Sequence, residues 1–247
     1  MTSVEAEQSR LDHIRSFETG CEVKDGFFSM EEFDFLRAQM KASYEDKGTL
    51  HYRNREAYSS QSDIMSMPRG QVQKEVIAFL KDKLKDELPG TFEIDFTFHK
   101  NYHPYSLHTD AGYGEEGVLL KQGIIPLEFY PEDKQVYTVI MHQRHYLSSG
   151  FHPKSIQLVT PQKDLSPINR VYEYKGEVDM PNIEFLKYWE DTPMKRSIMK
   201  GFTVHTPFLW KKRSMAIWDR SMIHCSSDFK VAGAEYKIGL MWIARGL

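Results

Sequence analysis

At residue 92 the hydrophobic repeat of this chain changes from four to two, and that change limits the fold more than any other feature. Upstream, Val72, Val76, Leu80, Leu84 and Leu88 recur at four-residue steps between Pro68 and Pro89-Gly90, the spacing of one helical face with a start and a stop signal. In "FEIDFTFH", Phe92, Ile94, Phe96 and Phe98 alternate with Glu93, Asp95 and Thr97, which puts the apolar side chains on one face of a half-buried strand. An earlier helix is predicted from "SMEEFDFLRAQM": Ser29 is the N-cap, Glu32 completes a capping box, and Phe33, Leu36 and Met40 share a face. Further strands are predicted at 123–130, 135–143, 155–160, 214–220 and 236–244. Helices first and strands afterwards make an α+β chain in which the helices support a sandwich or barrel.

The 247 residues are read as one domain. Residues 1–20 are a mobile tail or a late-docking helix, 21–91 helical support, and 92–143 with 214–247 the β-core. The stretch 144–213 is punctuated by Pro153, Pro161, Pro167, Pro181, Pro193 and Pro207 and is an insertion or lid with some core strands. A net charge of −3 and a single dense basic run, Lys211, Lys212 and Arg213, argue against a nucleic-acid partner. Two cysteines, Cys21 and Cys225, are too few for a disulfide framework and suit a reducing compartment. With no apolar signal segment and no run near the ~20 apolar residues of a membrane span, the expected location is the cytoplasm, away from membranes.

Chemistry is concentrated in "HTDAGYG", residues 108–114. Residues i and i+2 of an extended chain project to one side, so His108 and Asp110 offer an imidazole and a carboxylate together. A second imidazole, His224, follows a polar turn at Asp219 and Arg220 in "SMAIWDRSMIHCSSDF". Two imidazoles and one carboxylate on one face of a metal leave the other face open, an arrangement suited to ferrous iron that must bind a cosubstrate and dioxygen. Cys225 beside His224 also invites a nucleophile reading, but neighbours on an extended chain point to opposite faces. The other seven histidines, His51, His99, His103, His142, His145, His152 and His205, are read as surface or packed residues. Trp189, Trp210, Trp218 and Trp242 are read as core anchors.

Taken in order, His-x-Asp, a gap of 116 residues, a late histidine after a strand and turn, and a basic residue, Lys237, opening the last strand resemble the iron(II)- and 2-oxoglutarate-dependent oxygenase superfamily. The resemblance is an ordered pattern over about 92–245, is only general before it, and has no motif in 144–212. It implies a distorted double-stranded β-helix of jelly-roll, cupin-like type. It also implies iron(II) held by His108, Asp110 and His224, and 2-oxoglutarate held through its distal carboxylate by Lys237. Lys121, thirteen residues after His108, is the rival anchor, because some branches take it from that side. Tyr102 is a hydrogen-bond partner for the same carboxylate or a packing residue. Related halogenases carry Gly or Ala where Asp110 stands, so the carboxylate implies hydroxylation or another oxidation, with dioxygen and 2-oxoglutarate giving succinate and carbon dioxide.

Arg220 and Tyr113 are the first candidates for substrate contact. The expected substrate is a small molecule such as an amino acid or a biosynthetic intermediate. Alternatives are a protein or peptidyl hydroxylase of the same superfamily and, from a different class, a non-catalytic cupin-like binding module.

Overall fold

The computed structural model describes residues 18–53, 62–88, 90–105, 107–110, 118–145 and 204–246, with a few isolated positions before residue 18. The strand predicted at 155–160 and most of the proposed lid lie outside the described residues, as does Tyr113. The described residues form ten strands: β1 (Cys21–Lys24), β2 (Leu50–Arg53), β3 (Asp63–Ser66), β4 (Phe92–Asn101), β5 (Val118–Tyr130), β6 (Tyr137–Arg144), β7 (Val204–Leu209), β8 (Met215–Asp219), β9 (Met222–Ser226) and β10 (Tyr236–Gly246). They form a seven-stranded sheet in the order β1-β8-β5-β10-β4-β3-β2 and a three-stranded sheet in the order β7-β6-β9. Every pairing is antiparallel. From β4 onward the chain alternates between sheets: β4 large, the His108 segment against β9, β5 large, β6 and β7 small, β8 large, β9 small, β10 large. This is a double-stranded β-helix with an α-helical buttress, the fold expected from the sequence.

The helices form where their signals stand. Helix α1 (Met30–Glu45) starts on a complete capping box between Ser29 and Glu32 and buries Phe33, Leu36 and Met40. Helix α2 (Gly70–Leu84) buries Val76, Leu80 and Leu84, and it ends one turn before Pro89, with Leu88 buried just beyond it. These side chains meet Phe92, Ile94, Phe96 and Phe98 of β4 together with Leu240 and Trp242 of β10 in one core on the outer face of the large sheet. Each fully buried Leu or Phe removed from water there contributes roughly 2 kcal/mol. Gly123 is needed at this seam, since an added Cβ would sit 2.5 Å from the Trp242 ring.

Two features depart from the sequence reading. The segment read as helical support contributes three strands, β1, β2 and β3, to the edges of the large sheet. They are four residues long, too short for a period-two pattern to stand out. Pro207, read as a loop signal, lies inside β7 opposite Val139. β7 is an edge of the small sheet, and an edge strand tolerates the missing N–H of proline. Among the described residues no helix is long and apolar enough to cross a membrane.

Candidate metal centre

The strand pairing assembles the cluster. His108 and His224 exchange both backbone hydrogen bonds, 2.9 Å from His108 N to His224 O and 3.0 Å from His224 N to His108 O. Residues directly opposed across an antiparallel pair present their side chains on one face, and the two imidazole centroids are 4.4 Å apart. Asp110 follows two residues later and brings its carboxylate between them: Oδ1 is 3.3 Å from His108 Nε2 and Oδ2 is 3.2 Å from His224 Nε2. One donor atom from each of the three residues lies within 4.8 Å of the others, the only such group of three or more among the described residues. Residues 116 positions apart in sequence thus share one site.

The residues present fit a metal of the expected kind. His224 Nε2 is buried and makes no hydrogen bond, while its Nδ1 lies 3.3 Å from the Met222 carbonyl oxygen and 3.3 Å from Gln122 Nε2. Donation from Nδ1–H to Met222 leaves the Nε2 lone pair directed into the cluster, the usual way a ligating histidine is oriented. Burial lowers the His224 pKa further than Asp110 raises it, so the ring stays neutral and able to ligate. Burial alone would raise the Asp110 pKa, but the close approach of the His224 and His108 imidazoles outweighs it and holds the carboxyl well below the usual range. Two imidazoles and one carboxylate form a donor set suited to ferrous iron.

Lys237 lines the same pocket, with His108, His224 and Asp110 at one side and Asn101, Thr138, Trp210 and Ser226 around the lysine. Its side chain enters from β10, opposite Asn101 of β4. The ammonium donates to Ser226 Oγ at 2.8 Å and lies 4.4 Å from the Trp210 ring centre and 5.4 Å from that of Phe229. It has no ion-pair partner among the described residues, and burial pulls its pKa down to about 7. Gly239 keeps this pocket open, because a Cβ there would come within 3.0 Å of Trp210.

The remaining candidates are placed elsewhere. Lys121 is ion-paired with Asp219 and donates to Thr19 Oγ1 at 2.7 Å, and it does not line the pocket. Tyr102 also falls outside it. Asp63 captures the backbone N–H groups of Tyr102 and His103 at 2.7 and 3.2 Å, and the Tyr102 ring packs beside Tyr236 and Lys100. The strand has already turned away at Asn101. Arg220 is fully buried, donates to Gln122 Oε1, and holds a guanidinium nitrogen 3.7 Å from Asp110 Oδ2. That placement sets it beneath Asp110, outside the linings of the pocket and the neighbouring cleft. Cys225 stays a thiol, since burial pushes its pKa up to about 12.

His99 and Tyr105, which sequence reasoning passed over, line the pocket beside the cluster. The available signal was the polar half of the β4 alternation. Thr97, His99 and Asn101 point away from the helices and into the barrel, where a neighbouring cleft of about 940 Å³ opens from the cluster.

No protein-family model and no curated protein matches the chain. Among solved structures, the non-heme alpha ketoglutarate dependent epimerase SnoN from nogalamycin biosynthesis is similar at a TM-score of 0.51 and 8% identity, covering 98% of this chain and 84% of that one. SnoN in complex with Fe3+, alpha ketoglutarate and nogalamycin RO gives a TM-score of 0.50 with the same identity and coverage. EctD from S. alaskensis in its apoform is similar at 0.50 and 13% identity, covering 95% of this chain and 76% of that one. The chain therefore has the double-stranded β-helix fold found in non-heme enzymes that depend on alpha ketoglutarate, which is 2-oxoglutarate.

Proposed function

We propose that this chain is an iron(II)- and 2-oxoglutarate-dependent oxygenase that oxidises a C–H bond of a small molecule and releases succinate and carbon dioxide. The observation that carries the reading is the pairing, in one pocket, of a His-Asp-His cluster with a buried lysine that has no carboxylate partner among the described residues. His108, Asp110 and His224 hold the iron, which supplies dioxygen activation once 2-oxoglutarate is present. Lys237 and Ser226 bind the distal carboxylate of 2-oxoglutarate. An ammonium serves as a point charge for an anion, and the Trp210 and Phe229 faces exclude water, which strengthens the ion pair. Arg220 holds Asp110, and the Met222 carbonyl holds His224, from behind, as outer partners of ligands commonly do.

Succinate release by the purified protein with ferrous iron and 2-oxoglutarate under air tests this reading. The expected result is iron-dependent succinate that disappears in His108→Ala, together with a visible absorption band when iron and 2-oxoglutarate are added without oxygen. Absence of both in the wild type would remove the oxygenase reading and leave a jelly-roll binding module, which needs no anchored 2-oxoglutarate.

A further inference from the structure

The 940 Å³ cleft shares His99, Tyr105, His108, Asp110 and Met241 with the cluster pocket, so it opens onto the candidate metal centre. Its volume is at the upper end of the ~300–1,000 Å³ of pockets that enclose whole ligands. Met65, Met67 and Ile77 wall one side, and Met241 and Ile243 of β10 form an apolar floor. Three methionines among five such positions make the wall adaptable, since an unbranched thioether repacks around different shapes. Apart from Asp110, the carboxylates and cations that line it among the described residues are Asp95 and Arg245, and these two pair with each other at 3.3 Å.

A free amino acid brings an ammonium and a carboxylate, and each must find a partner when it leaves water. The cleft has its own opposite charges already joined. The other polar side chains of its lining, outside the cluster, are Gln73, Thr97, His99, Tyr105 and Thr109, and the Thr97 hydroxyl is 2.7 Å from His99 Nε2. A hydroxyl has one donor and two acceptor positions, so Thr97 keeps capacity for a second hydrogen bond whichever atom donates in the first.

We infer that the cleft takes a bulky, electrically neutral and mostly apolar molecule, held by Met65, Met67, Met241 and Ile243 and hydrogen-bonded at Thr97. This names the substrate class for the oxygenase reading and rests on that reading for the identity of the adjoining cluster. It also replaces the free amino acid in the sequence-based expectation with a larger, uncharged compound.

The test uses N-phenyl-1-naphthylamine, a neutral aromatic amine that fluoresces in apolar surroundings, titrated into the metal-free full chain. Saturable binding by the wild type is expected, weakened about tenfold by Ile243→Glu and by Met67→Glu, because each places a charge in the apolar wall. Val231→Glu, on an exposed residue outside the cleft, leaves binding unchanged. Met67 is 45% exposed, so Met67→Glu carries the test if Ile243→Glu lowers the melting temperature. Millimolar leucine is expected not to displace the probe. No saturable binding, equal affinity in the wild type and both wall variants, or displacement by leucine overturns the inference. Because the probe is measured without iron, a failed oxygenase reading gives no succinate while probe binding persists, and a failed substrate class gives the reverse.

Discussion

Two buried lysines stand on paired strands of the large sheet, Lys121 on β5 and Lys237 on β10, 5% and 3% exposed. Each lies thirteen residues beyond a histidine of the cluster. Lys121 is answered from within the protein: Asp219 takes its charge, and the same carboxylate accepts from Thr19 N at 3.0 Å and Gly20 N at 2.6 Å and pairs with Arg144 at 2.8 Å. That joint ties the chain ahead of β1 to the turn between β8 and β9. Lys237 is answered by one hydroxyl and two aromatic faces. Burying a charge costs free energy unless a partner compensates it, so the first lysine is held inside the fold by its own partners, and the second is the one the proposed function gives to an anion.

Removing each cation should separate the two roles, and the largest effect is expected at the structural one. Lys121→Ala breaks the buried pair with Asp219, leaving that carboxylate to Arg144 and two backbone N–H groups, and should cost about 3 kcal/mol of folding stability, measured by urea denaturation. Retained stability in that variant would place Lys121 outside the structural role. Lys237→Met should act in the opposite way. It removes an unpaired buried charge, so folding stability holds or rises, while 2-oxoglutarate affinity measured by calorimetry falls about 100-fold, near 2.7 kcal/mol. Unchanged 2-oxoglutarate affinity would break the comparison outright.

Counted per pH unit, the smallest expected effect is in pH. Burial lowers the Lys237 pKa from 10.5 to about 7 in the ligand-free protein. Between those values the unfolded chain binds the proton and the folded chain does not, so this group's contribution to stability rises with pH across that window and is lost as pH falls to about 7. Binding a dianion favours the charged ammonium and therefore takes up a proton above pH 7. The affinity for 2-oxoglutarate should fall with increasing pH above 7 by up to about tenfold per unit, and Lys237→Met should flatten both profiles. Stability and cosubstrate affinity that move together with pH in the wild type would contradict the assignment.

Local pattern made much of the architecture legible. The change of period at Phe92, the capping box at Ser29 and Glu32, and the four-residue steps from Val72 to Leu84 act over neighbouring residues, and the helices and β4 formed where those signals stood. Short edge strands such as Cys21–Lys24 carry too few residues for a period to show, and Pro207 reads as a break until its strand is known to be an edge. At the site, His108 and Asp110 were legible as a pair because an extended chain puts i and i+2 on one side. The sequence also split β4 into an apolar and a polar face, without indicating that the polar face would turn inward and line a cleft with Thr97 and His99.

By itself, then, the sequence determined periodicity, caps and the His-x-Asp spacing, since these depend on backbone geometry within a few residues. Only the tertiary structure decided that His224 sits opposite His108, that Asp63 turns Tyr102 away from the pocket, that Arg220 lies beneath Asp110, and which lysine meets Asp219. Lys121 and Lys237 are alike in chemistry and in their distance from a histidine. Their difference arises from strand register, which brings Lys121 to Asp219, 98 residues away, and Lys237 to Ser226 and two aromatic rings, because the free energy of a buried charge is set by what the fold packs around it.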